Sequence, residues 1–179
     1  MSETYKMKIA GLERELPLCP INDKLSIAAF IIFGDVELTV AASAELLKKC
    51  PEFDFIVTPE AKSIPLAYEM SRQSGKPYFV ARKKVKLYMR DPASVTVKSI
   101  TTADEQKLLL DRYEGERMRG KKVLLVDDVI STGESICAVE KLVDLFDAQV
   151  VARAAVLAEG EAADRKDIVF LEKLPVFEK

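Results

Sequence analysis

The chain has 179 residues, with 27 basic and 29 acidic side chains for a net charge of −2, three cysteines and no histidine. A single domain of this length buries roughly 70% of the surface its unfolded chain exposes, so no disulfide or metal staple is required. The missing histidine excludes histidine-based metal centres and acid–base triads, and the intermixed charge gives no global field for nucleic acid or an anionic membrane.

Cys19, Cys50 and Cys137 are odd in number, scattered and without Cys-x-x-Cys spacing, which predicts idle thiols in a reducing, cytoplasmic setting. Near the start, the longest apolar segment, Ile27 to Phe33, is far too short to span a bilayer. Residues 1–36 are irregular in pattern: Pro17 and Pro20 bracket Cys19, and Asn22-Asp23-Lys24 precedes the run LSIAAFIIFG. A strand or extended arm, a turn and a short apolar segment are expected there, folded onto the main domain as a small lobe.

Leu38 to Lys49 has helical spacing and Pro51 stops it. Phe53 to Thr58 predicts a strand, Ile64 to Ser74 a helix with Leu66, Ala67 and Met70 inward and Gly75 as its C-cap, and YFVAR (78–82) a second strand, together a βαβ unit. SVTVKSIT (94–101) alternates, and Gln106 to Asp111 does so more loosely, which predicts an antiparallel hairpin or a mobile flap. Gly115 and Gly120 frame a polar connection. Lys121 to Asp128 is a strand apolar on both faces, Thr132 to Phe146 a helix with Ile136, Val139, Leu142 and Val143 on one side, Gln149 to Ala158 a further strand and Ile168 to Leu171 a last short one. The fold class is α/β, with a central, mostly parallel sheet flanked by helices.

Within this order one stretch carries chemistry, VLLVDDVISTGES from Val123 to Ser135. Asp127 and Asp128 end a parallel strand, where open α/β sheets bind ligands, and Ser131-Thr132-Gly133-Glu134-Ser135 opens a helix whose first N–H groups attract an anion. The bland reading is a solvated strand end and an ordinary Ser/Thr N-cap. The turn lacks the Gly-x-x-x-x-Gly-Lys of a triphosphate cradle, so a single phosphate beside sugar hydroxyls suits it better. A receiver domain also pairs acids after an apolar strand, but near its own start, whereas over 120 residues precede this pair.

The stretch resembles the phosphoribosyl-pyrophosphate (PRPP) motif of the type I phosphoribosyltransferases. Pro59-Glu60-Ala61-Lys62 is similar to the pyrophosphate loop of the adenine enzymes of that family, and Arg82-Lys83-Lys84 to the basic end of their next strand. The resemblance implies one phosphoribosyltransferase domain over residues 1–179: a core of about 37–158, a hood of about 1–36 plus 159–179 that covers a purine base, and a lid at Lys86 to Ser99 with Tyr88 and Met89. It implies that Asp127 and Asp128 hold the ribose hydroxyls directly or through Mg²⁺, and that Ser131, Thr132, Gly133, Glu134 and Ser135 bind the 5-phosphate. Glu60, Ala61, Lys62, Ser63, Arg82, Lys83 and Lys84 would meet pyrophosphate, and Glu159 with Asn22 the base. Xanthine-type relatives carry a lysine near Glu159; an acid there favours an exocyclic amine, hence adenine, with AMP and pyrophosphate as products. A homodimer is implied as the active unit. Ser63 departs from the family's glycine, and SVTVKSITTADEQ replaces a tyrosine- and glutamate-rich lid. The hairpin and the Ala158-Glu159-Gly160 turn resemble equally the purine-operon repressors, which bind PRPP as an effector, so a non-catalytic PRPP sensor, or a phosphoribosyltransferase for another base such as xanthine, stands as the alternative.

Overall fold

The computed structural model of the chain describes residues 3–98 and 105–178. Where the sequence predicts a single strand or extended arm, a turn and an apolar segment, the first segment forms three strands, β1 (Thr4–Ile9), β2 (Leu12–Pro20) and β3 (Leu25–Ala28), paired antiparallel. The β1–β2 turn is Ala10-Gly11 with φ of 49° and 84°, the double positive-φ geometry of a two-residue hairpin. Tyr5, Met7 and Ile9 alternate along β1 and pack against the core, which is the period-2 signal that lysines and glutamates mask.

Next, Asp35 caps α1 (Val36–Lys49) by accepting a hydrogen bond from Leu38 N at 3.0 Å, and Arg14 of β2 donates to the same carboxylate at 2.6 Å, tying the small sheet to the helix. β4 (Phe55–Pro59), α2 (Ile64–Ser74) and β5 (Tyr78–Ala81) form the expected βαβ unit, and Gly75 closes α2 at φ 70°. β6 (Ala93–Lys98) and β7 (Glu105–Leu110) pair antiparallel; the tip of this hairpin, with Ser99 and Thr101, lies outside the described residues. Its root is not a free flap. Leu108, Leu109 and Leu110 are buried, and Arg82 and Leu109 exchange backbone hydrogen bonds of 2.7 and 2.8 Å.

The predicted polar connection at 115–120 contains instead a short helix, α3 (Arg112–Arg117), because Asp111 caps it from Tyr113 N at 2.9 Å and Gly115 lies under the Phe146 ring. β8 (Lys122–Ile130) then runs through the middle of the large sheet. Its side chains alternate between two cores, Val123 and Leu125 into one, Leu124 and Val126 into the other, all fully buried. α4 (Glu134–Asp144) buries Ile136, Val139, Leu142 and Val143 against it, each contributing roughly 1.5–3 kcal/mol. β9 (Gln149–Glu159) leads through a 3-10 turn (Gly160–Asp164) to β10 (Val169–Leu174) and β11 (Val176–Glu178).

The large sheet has the order β10-β9-β8-β4-β5 and is parallel throughout. β11 crosses to the small sheet and pairs with β3, giving β1-β2-β3-β11. The boundary between the two sheets therefore falls inside 159–179, since β10 belongs to the large one. From β4 the chain moves one way to β5 and later returns on the other side as β8, so a topological switch point lies between β4 and β8. Among the described residues no helix is long and apolar enough to cross a membrane.

Candidate active site

The loops that leave β4 and β8 at that switch point carry most of the predicted residues. Asp127 and Asp128 lie near the end of β8, 7% and 3% exposed. The Asp128 N–H donates to Asp127 Oδ1 at 2.9 Å, and Lys62 Nζ stands 2.9 Å from Asp128 Oδ2. That contact is close in distance but not aligned as a hydrogen bond, so Asp128 Oδ2 remains a buried oxygen without a hydrogen-bond donor. Burial raises the Asp127 pKa first, and the Asp128 charge raises it further; the Asp128 N–H and the Ser63 hydroxyl pull the other way.

The raised pKa has a consequence for stability. The folded pKa lies above the unfolded value, so the unfolded state sheds its proton first and Asp127 lowers stability as pH rises from about 4 towards 7. Asp127→Asn removes that cost. The variant is expected to be more stable than the parent at pH 7.5 by about 1 kcal/mol or more, with the difference vanishing near pH 4. Urea melts at the two pH values check this, and equal gains at both would contradict it.

The Ser63 side chain is turned into the protein. Its hydroxyl is 2.7 Å from Thr58 Oγ1 and donates to Pro59 O at 3.1 Å, and Thr58 Oγ1 is 2.8 Å from Val126 O. With Ser63 1% exposed, this side chain clamps the loop to β4 and β8. Ala61 and Lys62 are exposed beside it. Glu60 also acts inward: its carboxylate accepts from Lys83 N at 3.0 Å and lies 3.6 Å from Arg82 Nε, itself a buried donor without a hydrogen-bond acceptor. The Lys83 N–H bond, then the charges of Arg82, Lys86 and Lys83, hold the Glu60 pKa down against burial. Lys86 thus joins the basic cluster, although the sequence reading placed it only in the lid. Lys84 is exposed.

Beyond β8, Gly133 sits at φ 82° and opens α4 without a side-chain cap; Thr132 Oγ1 is a distant 3.4 Å from Glu134 N. Ser131, Thr132 and Ser135 are exposed around these first N–H groups. Between the two sheets lies a cleft of about 290 Å³ lined by Lys62, Ser131, Val129 and Glu159 on one side and by residues 27–31 on the other. Burial raises the Glu159 pKa and the Lys62 charge opposes it. Asn22 lies apart from this lining: it is exposed at the β2–β3 turn, and its side chain accepts from Lys24 N at 2.9 Å.

The parallel α/β sheet, with paired acids, an uncapped helix start and a basic loop at one switch point, has the fold of the type I phosphoribosyltransferases. The chain belongs to the phosphoribosyl transferase domain family, which matches residues 35–177. It is 30% identical over 142 residues to the hypoxanthine/guanine phosphoribosyltransferase of Methanocella arvoryzae, covering 79% of this chain and 68% of that one. Over 169 residues it is 28% identical to the purine biosynthesis transcriptional repressor PurR of Bacillus subtilis, covering 92% of this chain and 55% of the repressor. In fold it is similar to the adenine phosphoribosyltransferase from Rhodothermus marinus, with a TM-score of 0.68, 19% identity and coverage of 96% and 94%. The family is one of pentosyl-transferring enzymes of nucleotide metabolism.

Proposed function

We propose that this chain transfers the phosphoribosyl group of PRPP to a purine, adenine first, yielding AMP and pyrophosphate in cytoplasmic salvage. The observation that carries the donor is the convergence, at the β4–β8 switch point, of Asp127 and Asp128, the uncapped start of α4, and the basic cluster around Glu60. In this reading Ser131 to Ser135 bind the 5-phosphate and the two acids the ribose hydroxyls. Lys62, Arg82, Lys83 and Lys84 receive pyrophosphate, with Lys62 exchanging Asp128 for the new anion.

The donor set fits Mg²⁺. Asp128 Oδ2 is buried and lacks a hydrogen-bond donor, and among the described residues no three acid, cysteine or histidine groups cluster as a full cage. Two carboxylates suit an ion that takes its other ligands from a diphosphate and water. When bound, Mg²⁺ would neutralise charge on the departing pyrophosphate. The chain's own residues do the rest: cations stabilise the leaving group, and the buried acids favour the oxocarbenium-like ring as the C1–O bond breaks and the C1–N bond forms. The segment with Leu87 and Tyr88, whose side chains are exposed and apolar, suits a lid that excludes water. A homodimer completes the proposal, supported by exposed Val36, Val40 and Tyr68 around an apolar cleft between α1 and α2.

Adenine is favoured because Glu159, half-buried in the cleft, accepts hydrogen bonds from an exocyclic amine and repels an oxo group. Glu159→Gln is expected to lower kcat/KM for adenine by roughly tenfold to a hundredfold, the loss of a charged hydrogen bond, and to raise it for hypoxanthine, whose oxo group is no longer repelled. Steady-state kinetics on both bases check this; equal losses on both would remove Glu159 from base selection. A PRPP sensor is the second reading, favoured by the likeness to the repressor over 92% of this chain. PRPP binding without pyrophosphate release on any base would select it.

A further inference from the structure

We infer that Arg165 is a ligand of the 5-phosphate and that Asp167 positions it; this rests on the phosphoribosyl-donor reading above. Arg165 follows the 3-10 turn after β9, far in sequence from the motif that opens α4. Its Nε and Nη2 donate to the two Asp167 oxygens at 2.9 and 2.7 Å, a fork-to-fork pair that fixes the guanidinium plane. Among the described residues its remaining nitrogen, Nη1, has no hydrogen-bond or ion-pair partner. That nitrogen is directed at Gly133, so closely that a Cβ on Gly133 would overlap it. The Arg165 side chain is partly buried there, 28% exposed.

This placement is electrostatically unusual. A helix N-terminus carries positive partial charge and favours anions, so a cation braced against the start of α4 is opposed by the helix except as far as Asp167 offsets its charge or an anion binds beside them. Glu134 in the first turn and Glu140 soften the field, but Glu140 is already paired with Arg153. A phosphomonoester dianion seated on the N–H groups of residues 133–135 resolves the conflict. It accepts from the backbone on one side and from Nη1 on the other. Gly133 is then required twice, for its φ of 82° and for the space that Nη1 occupies. Asp167 does not touch the ligand; it holds the fork so that only Nη1 is offered.

Calorimetric titration of the full chain with ribose 5-phosphate and, separately, with pyrophosphate tests this. Arg165→Gln is expected to weaken ribose 5-phosphate on the order of tenfold or more while leaving pyrophosphate affinity within about twofold, since only the former places a phosphate at α4. Asp167→Asn, which keeps the guanidinium and loosens its brace, should lose several-fold with the same selectivity, and carries the test if Arg165→Gln does not fold. Wild-type affinity for ribose 5-phosphate in both variants overturns the inference, as does an equal loss for both ligands, the mark of a merely structural role. A wild-type chain that binds neither PRPP nor ribose 5-phosphate overturns the parent reading, and is distinguishable from either result.

Discussion

Replacing Asp127 and Asp128 together by asparagine is expected to abolish turnover while the protein stays folded. Each acid is almost fully buried, the two are adjacent, and the outer oxygen of Asp128 has only the Lys62 charge for company. Two carboxylates kept in this state at the cost of desolvation and mutual repulsion are poorly explained by stability, because burial and the neighbouring charge both raise the Asp127 pKa. Their asparagine isosteres keep shape and hydrogen bonding but offer no charge to Mg²⁺ or to a cationic ribose. Removing one preorganised electrostatic group costs roughly 100- to 1,000-fold in rate, so the pair should cost at least 1,000-fold in kcat/KM. The melting temperature should hold or rise. Turnover within tenfold of the parent would remove these residues from the site.

Gly115→Ala is expected to be the most destabilising single methyl addition in the chain. Gly115 is buried in α3, and a Cβ there would drive into the ring of Phe146, which is 1% exposed and wedged under α4. Neither partner can yield: the ring is enclosed, and α3 is tethered at Asp111 and followed by β8. Overpacking of this kind costs about 1–3 kcal/mol, and the direct backbone-to-ring approach places this case near the upper end. For a chain of this size that is a fall of roughly 6–12 °C in melting temperature. Unchanged melting would mean that α3 lies away from Phe146.

How much of this was legible in the sequence depended on the range of the signal. β8, α4 and the βαβ unit announce themselves through local periodicity, and the chemistry of Val123 to Ser135 is contiguous, so both could be read directly. The small sheet was missed because charged residues alternate with its apolar ones and its turn is Ala-Gly rather than a stronger hairpin pair. α3 escaped because its six residues are too few for a helical period, and its stability lies in a cap and a packed glycine. Within the site, the order of residues does not say that the Ser63 hydroxyl turns to Thr58 and Pro59, because that contact depends on how the loop folds back over β4. Arg165 and Asp167 carried no usable signal at all, since nothing in the order of residues says that the turn after β9 folds back over Gly133.

These features separate the donor half of the site from the acceptor half. In the proposed reading the donor half is built mainly from the loops after β4, β5 and β8, with Arg165 reaching in from the turn after β9, whereas the acceptor cleft lies between two sheets, with Glu159 facing the chain at 27–31. On that reading base choice would depend on how the small sheet sits over β9, a long-range property, whereas most of the groups proposed to meet PRPP follow strands β4, β5 and β8 directly.

The most direct test incubates the wild-type chain with Mg²⁺ and PRPP and with adenine, guanine, hypoxanthine, xanthine or orotate in turn, and measures pyrophosphate release. The account predicts release with a purine, fastest with adenine, and none with orotate. No release with any base, despite measurable PRPP binding, would contradict it.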